Sequence, residues 1–330
     1  MSTIQADMTG ASGGGRAGAH LRRSHLKLAD PAFRWLTIIC AGAVALAMIT
    51  LTGVLVGNSW LAITKLGLKP LHTVAWAPSI GSYGALSSLF GTFVTTLIAM
   101  IIAVPLALAV ALLLVELVHP VLARVIGTAI EMLAAIPSIV FGMWGIFVVV
   151  PLLQKVEPWI QSTPLGRLGL FSGPPIGIGI LPAGIILALM VLPFVTAVSR
   201  DVLAMVPTVV KEAGFGMGST TFEVTRRISF RYALSGIAGA VFLGLGRALG
   251  ETMAVAFLLG GVFDRLPHSL LDQGTSVSAT IALQFGEATK PLDVSALIEL
   301  GLILFLITMV FQLIAQVWLA RARRMTGSRA

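Results

Sequence analysis

The chain has 330 residues, of which 57% are hydrophobic and 11% charged, with a formal net charge of +8. A mean hydropathy of +0.97 excludes an ordinary soluble domain and is typical of a protein that crosses a membrane several times. The basic residues show no aromatic–basic surface pattern of the kind that binds nucleic acid. Cys40 is the only cysteine, so neither a disulfide framework nor a thiolate metal centre is expected.

Six apolar stretches are long enough to cross about 30 Å of hydrocarbon at about 1.5 Å per residue. They are predicted at residues 35–56, 89–117, 125–150, 176–198, 233–259 and 296–319. Fifteen of the 22 lysines and arginines fall in segments on one side of these spans, six fall on the other side, and Arg247 lies within a span. Because basic segments stay on the cytoplasmic side, both termini are predicted to be cytoplasmic. The predicted fold class is an all-α polytopic protein of the cytoplasmic (inner) membrane, with lipid around six transmembrane helices.

The spans divide the chain into a short series of segments. They are a disordered cytoplasmic tail at 1–34, a first transmembrane helix at 35–56, an outer loop at 57–88, a core domain at 89–319 and a basic cytoplasmic tail at 320–330. Two further outer loops are predicted at 151–175 and 261–295, and the longest cytoplasmic connection runs from 200 to 232. The tail prediction rests on its glycine run and scattered polar residues, which cannot bury enough apolar surface to fold.

A proline interrupts the third predicted span. Pro137, followed by Ser138, removes a helical hydrogen bond and is predicted to break the helix, which membrane bundles tolerate where neighbouring groups satisfy the freed carbonyl. A packing kink is the commoner meaning of such a proline. The alternative is a break whose backbone groups face a transport path.

The cytoplasmic connection contains two short helical patterns, at about 208–215 and 220–228, with glycines between them. Thr220 followed by Glu223 resembles a capping box and favours a new helix start. Gly218 is predicted to allow the turn. Such an amphipathic element either lies on anionic lipid or docks a soluble partner.

Arg247 and Glu251 stand four residues apart in an otherwise uncharged stretch at 236–260. A charge at bilayer depth costs at least about 2.5–3.5 kcal/mol, so intramembrane charges are functional candidates by default. On a continuous helix this spacing places both side chains on one face. They are either a mutually neutralising pair between packed helices or a cation with its counter-ion on the path of an anion.

The cytoplasmic segment resembles a known motif. Glu212, Ala213, Gly218 and Ile228 have the spacing of the EAA loop of ABC importer permeases, the part that inserts into the ATPase subunit. Gly214 departs from the motif where a second alanine is usual, and Phe230-Arg231 replaces the usual Leu-Pro pair.

Further stretches resemble the C-type membrane subunits of the high-affinity phosphate ABC importers. They are GLGRALGETMAV at 244–255, LAAIPSIVFG at 133–142 and the span at 89–116. The resemblance implies the type I permease fold for the core at 89–319, with 200–232 as the coupling loop. It also links the positions of Arg247 and Glu251 to phosphate passage.

The partners implied by this resemblance are a similar second permease of the A-type, two copies of an ATPase subunit and an extracytoplasmic phosphate-binding protein. The chain carries no G-x-x-x-x-G-K-[ST] loop, so no cofactor is expected on it and ATP is expected to bind the ATPase partner.

Other functions stay open at this point. Another oxyanion such as phosphonate, molybdate or sulfate would suit an arginine equally well. An ion-coupled secondary transporter also has intramembrane charges and broken helices, but it has no use for a docking loop. An enzyme is disfavoured because the five histidines are dispersed and no H-E-x-x-H occurs, which leaves no catalytic or metal site.

Overall fold

The computed structural model describes residues 15–164, 166 and 169–325. This part of the chain is helical except for one small hairpin and the loops between the helices. The helices are α1 Gly15–Leu66, α2 Lys69–His72, α3 Leu86–Leu112, α4 Pro120–Ala134, α5 Ser138–Trp144, α6 Val150–Ser162, α7 Ile180–Ala204, α8 Thr208–Gly216, α9 Thr221–Val224, α10 Phe230–Leu249, α11 Met253–Leu259, α12 Val277–Gln284 and α13 Pro291–Met325. A 3-10 turn, Pro78–Ile80, lies between strands β1 Trp76–Ala77 and β2 Ser82–Tyr83, which pair antiparallel. π-helical turns at Gly145–Val149 and Thr225–Ser229 join α5 to α6 and α9 to α10, and a third at Leu113–Leu117 ends α3.

Six helical segments are long and apolar enough to cross a membrane, as the sequence predicts. They are Phe33–Leu66, Leu86–Leu117, Ser138–Ser162, Ile180–Ala204, Thr221–Leu249 and Pro291–Arg321. The chain divides into two compact units, Met1–Gly57 and Asn58–Ala330, and α1 runs across the boundary. All the site features described below belong to the second unit.

Two predicted segment boundaries differ from the structure. α1 begins at Gly15, so the part of the predicted disordered tail from residue 15 onward is helical, while residues 1–14 lie outside the described residues. The alanine, leucine, arginine and lysine residues before the span are good helix formers, and they extend a helix that the apolar span has already nucleated. The predicted outer loop at 57–88 likewise contains the end of α1, the hairpin and the start of α3.

The centre of the second unit is the contact between α3 and α7. Four alanines spaced four residues apart line one face of α3 and are fully buried: Ala99, Ala103, Ala107 and Ala111. This spacing puts them on one stripe of the helix, and their small side chains let α7 approach closely.

α3 and α7 run parallel, because Gly184 packs on Ile98 and, further along both helices, Leu203 clusters with Ala111. Glu116, just after α3, contacts α8, and Ala204 ends α7 shortly before α8 begins. Both helices therefore finish at the end of the bundle that carries α8, called the α8 end below.

The third and fifth predicted spans are interrupted. The span predicted at 125–150 is divided into α4 and α5 around Pro137, and its helical course continues through α6 to Ser162, into the predicted outer loop at 151–175. Hydropathy missed this extension because α6 carries Lys155 and Glu157. Glu157 is buried and accepts a hydrogen bond from the Gly177 N–H at 3.0 Å, so the charged residue is part of the packed fold.

The hairpin lies at the other end of the second unit. The rings of Trp76 and Tyr83 pack edge to face with centroids 5.6 Å apart, and the Tyr83 hydroxyl donates a 2.5 Å hydrogen bond to the Asp293 carboxylate in the first turn of α13. The backbone N–H of Trp76 donates a hydrogen bond to the Phe263 carbonyl at 2.9 Å. These contacts attach the hairpin to α13 and to the loop after α11.

Candidate functional site

Arg247 lies in the last turn of α10 and its side chain is exposed in the single chain. Its guanidinium carbon stands 5.9 Å from the centroid of the Phe194 ring, a cation–π contact. Phe194 is close to the middle of the 25-residue α7, so Arg247 lies near the middle of the bundle along its length. The charged guanidinium of Arg247 is thus exposed near the middle of the helix bundle. Its neighbour Phe194 was not predicted from the sequence.

Glycines bring α10 against its neighbours and fix the direction of Arg247. A Cβ atom at Gly244 would lie 2.6 Å from Val195 Cγ2 of α7, and one at Gly246 would lie 2.6 Å from Gln312 Nε2 of α13. No side chain fits at either position without a shift. Arg247 lies at the edge of the α7 contact, where it reaches Phe194 and keeps an exposed face.

The predicted helical pairing of Arg247 with Glu251 is wrong. α10 ends at Leu249, and Glu251 lies in the short connection before α11, so the two residues do not share the face of one helix. Glycines cost up to about 1 kcal/mol each in a helix interior, and Gly250 follows Gly244 and Gly246 within two turns. Among the described residues no ion pair joins Arg247 to Glu251, which is half-buried.

The two helix interruptions are neighbours. Pro137 caps α5, whose first residue is Ser138, and the preceding helix α4 ends at Ala134. One turn into α5, a Cβ atom at Gly142 would lie 3.0 Å from the Cα of Ala254, the second residue of α11. The break before α5 and the break before α11 therefore lie within about one helical turn of each other, although 113 residues separate Pro137 from Gly250 in the chain.

The segment predicted to dock the ATPase forms a helix, a tight turn and a second helix, close to the predicted bounds. Gly218 adopts φ +83°, the left-handed region that favours glycine. Its N–H donates to the Phe215 carbonyl at 2.9 Å, and the Ser219 N–H donates to the Gly214 carbonyl at 3.3 Å, which is the Schellman pattern that ends a helix. The capping box of Thr220 and Glu223 then starts α9.

Some residues of the EAA-like motif are exposed on the surface, and others pack between α8 and the helix that follows it. Glu212 and Ala213 are exposed on α8, whereas Ile228 is half-buried. A Cβ atom at Gly214 would lie 2.5 Å from Ile228 Cδ1, so the glycine that departs from the motif lets Ile228 pack closely on α8. At the second departure, Arg231 continues the helix from the π-helical turn into α10, which a proline would disfavour.

A partly shielded ion pair ties α8 to α3, and the sequence analysis did not identify it. Lys211 Nζ lies 2.7 Å from Glu116 Oε1, and the two side chains are 17% and 9% exposed. The residues are 95 positions apart, so no spacing rule connects them. A second ion pair at this end joins Arg200 to Glu131 at 2.6 Å.

The structure therefore separates two sites. Arg247, Glu251 and the two interruptions lie around the middle of the bundle, while Glu212, Ala213, Gly218 and Ile228 lie together at the α8 end. The described residues contain no group of three or more histidine, cysteine, aspartate or glutamate side chains arranged for a metal ion.

The chain matches known transport proteins over most of its length. Residues 103–324 match the family described as "Binding-protein-dependent transport system inner membrane component". It is 44% identical over 314 residues to the phosphate transport system permease protein PstC of Pasteurella multocida, covering 94% of this chain and 97% of that protein. It is 47% identical over 294 residues to the PstC protein of Mesorhizobium japonicum, covering 87% and 89%.

A solved structure agrees with the predicted fold class. An inward-facing conformation of the MetNI methionine ABC transporter aligns with a TM-score of 0.51 at 16% identity, over 75% of this chain and 99% of that chain. This likeness concerns the fold alone. With six apolar helices, the family match identifies a multi-pass protein of the inner membrane. The chain belongs to the family of binding-protein-dependent transport system inner membrane components and, within it, to the PstC permeases.

Proposed function

We propose that this chain is the membrane permease subunit of an ATP-driven importer of inorganic phosphate. The observation that carries the proposal is Arg247, an exposed cation at central depth in a bundle of mainly apolar helices. Both termini lie in the cytoplasm, which places α8 on the cytoplasmic side and the hairpin outside. The excess of lysine and arginine in the segments on that side supports this orientation.

The chemistry of Arg247 suits a phosphate path. Phosphate loses water when it enters the bundle, and a guanidinium offsets its charge while donating two parallel hydrogen bonds to its oxygens. Glu251, in the short connection between α10 and α11, lowers the affinity for the anion so that it is released. The neighbouring breaks at Pro137–Ser138 and at Glu251 supply irregular backbone beside this path, as in membrane transporters whose broken helices line a cavity.

ATP is hydrolysed by a separate subunit that docks on α8. The exposed apolar side chains around the turn support this docking: Val209 is 72% exposed, Met217 82% and Phe222 69%. Glu212 and Ala213 are exposed on α8, as Val209 is. Exposed apolar groups of this number at the end of a membrane bundle mark an interaction site with a protein partner.

The complete importer contains a second permease of the A-type, two copies of the ATPase and an extracytoplasmic phosphate-binding protein. The open side of α10 that presents Arg247 is the face that the second permease covers. Enclosing the guanidinium between two subunits excludes lipid from the path and strengthens its interaction with an anion.

The test replaces Arg247 by glutamine and measures labelled-phosphate uptake in cells that lack other phosphate systems, normalised to the assembled complex. We expect Arg247→Gln to abolish uptake without loss of assembly, because a neutral amide cannot offset the charge of phosphate. Arg34→Gln removes the same charge from an exposed position on α1 and should leave uptake unchanged. Full uptake by Arg247→Gln would contradict the proposal.

Two further variants separate charge from geometry. Arg247→Lys keeps the charge but loses the planar fork, so uptake should fall. Glu251→Gln should retain the anion longer, seen as slower release after binding. Competition by excess sulfate, molybdate or phosphonate with labelled phosphate would instead identify another oxyanion as the substrate.

A further inference from the structure

The ion pair between Lys211 and Glu116 joins the segment proposed to dock the ATPase to a helix of the transport core. Lys211 stands on α8 directly before Glu212, and Glu116 stands in the π-helical turn Leu113–Leu117 that ends α3. Their charged atoms are 2.7 Å apart and largely shielded from solvent. Separating a charged pair in such surroundings costs free energy, because each charge is then left poorly solvated and without its partner.

The π-helical turn sets the position of Glu116. The Val118 N–H donates to the Leu113 carbonyl at 3.0 Å, five residues back, so this turn holds one more residue than an α-helical turn. The extra residue changes the direction of the side chains at the end of α3 and brings Glu116 to Lys211. π-helical turns of this kind occur frequently at functional sites.

Two connections lead from α8 into the bundle. The first begins with packing: α8 contacts α9 and the turn Thr225–Ser229, and from there continuous helix leads through α10 to Arg247. The second is the Lys211–Glu116 pair, which leads into α3 and, through its buried alanine stripe, into α7. A displacement of α8 that moved α10 alone would have to separate this ion pair.

We propose that Lys211 and Glu116 are a positioning pair that makes α3 move together with α8 when the ATPase changes conformation. This inference rests on the proposed function. The pair does not contact the transported anion. It ensures that α3 and α10, which both pack on α7, respond to the ATPase as one body, so that each ATP hydrolysed is linked to transport.

The experiment reconstitutes the permease with its partner subunits in proteoliposomes and measures phosphate imported per ATP hydrolysed. Glu116→Gln and Lys211→Gln should each lower this ratio by about fivefold or more, in the range of typical coupling energies between sites. The exchange Glu116→Lys with Lys211→Glu should restore most of it. If the pair were purely structural, the variants would assemble in smaller amounts. The complex that did assemble would import as much phosphate per ATP as the wild type.

The matched control is the Arg200–Glu131 pair, which lies at the same end but does not involve α8. Glu131→Gln should keep the wild-type ratio. An unchanged ratio in assembled Glu116→Gln, an equal loss in Glu131→Gln, or an exchange no better than the single variants would overturn the inference.

Should the single variants fail to assemble, Glu116→Cys with Lys211→Cys in a Cys40→Ala background decides the matter. Joining the two thiols with a bifunctional reagent should raise the ratio, and no change on joining would contradict a positioning role. If the wild-type complex hydrolysed ATP without importing phosphate, the proposed function would be contradicted. If the wild-type complex imports phosphate normally and the variants keep its ratio of phosphate to ATP, only the ion-pair inference is contradicted.

Discussion

Gly218 offers the sharpest test of the proposed docking segment. Its φ of +83° is disfavoured for any residue with a Cβ atom, while nothing lies within 4 Å of the position that this atom would occupy. Gly218→Ala therefore introduces no clash, and its cost is that of the backbone conformation, about 1–2 kcal/mol.

This cost acts on the relative orientation of α8 and α9. The turn is held by the Schellman hydrogen bonds of 2.9 and 3.3 Å, and an alanine at Gly218 favours conformations that lack them. If the ATPase binds only the native turn, a penalty of about 1–2 kcal/mol lowers its affinity for the permease by about 5–30-fold. Gly218→Val should cost more, because a β-branched residue tolerates positive φ least.

The measurement is a titration of the purified permease pair with the partner ATPase. The control is Gly216→Ala, at the last residue of α8, where there is also open space but no positive φ. Alanine there improves helix propensity by up to about 1 kcal/mol, so ATPase affinity should stay the same or rise. Wild-type affinity in Gly218→Ala, or an equal loss in Gly216→Ala, would refute the reasoning.

Two further predictions concern stability, measured by thermal unfolding in detergent. Gly244→Ala should be about 1–3 kcal/mol less stable than Gly239→Ala, because both gain helix propensity but only the Cβ at 244 meets Val195 Cγ2, at 2.6 Å; equal melting temperatures would contradict the tight α10–α7 contact. Burial and the hydrogen bond to Asp293 raise the pKa of Tyr83 to about 12. The unfolded tyrosine ionises near pH 10, so this stabilisation is present below pH 10 and lost as pH rises through 12. Wild-type protein should therefore lose about 2 kcal/mol more than Tyr83→Phe over that range, and parallel losses would argue against it.

The sequence by itself determined the membrane class, the number of spans and the form of the docking segment. Each of these depends on neighbours in the chain. A run of apolar residues identifies a span wherever it packs, the Thr220–Glu223 capping box closes within one helical turn, and Gly218 marks a left-handed residue. The two sequence motifs were equally local, and the family that they predicted is confirmed.

Only the tertiary structure decided where the charged residues meet. Spacing predicted a helical face shared by Arg247 and Glu251, but α10 ends between them, because packing and three glycines favour an end at Leu249. The pairing of Lys211 with Glu116 and the contact of Arg247 with Phe194 join residues 95 and 53 positions apart. Contacts over such separations depend on how whole helices pack, and hydrophobic periodicity identifies the buried face of a helix without identifying the helix that it meets.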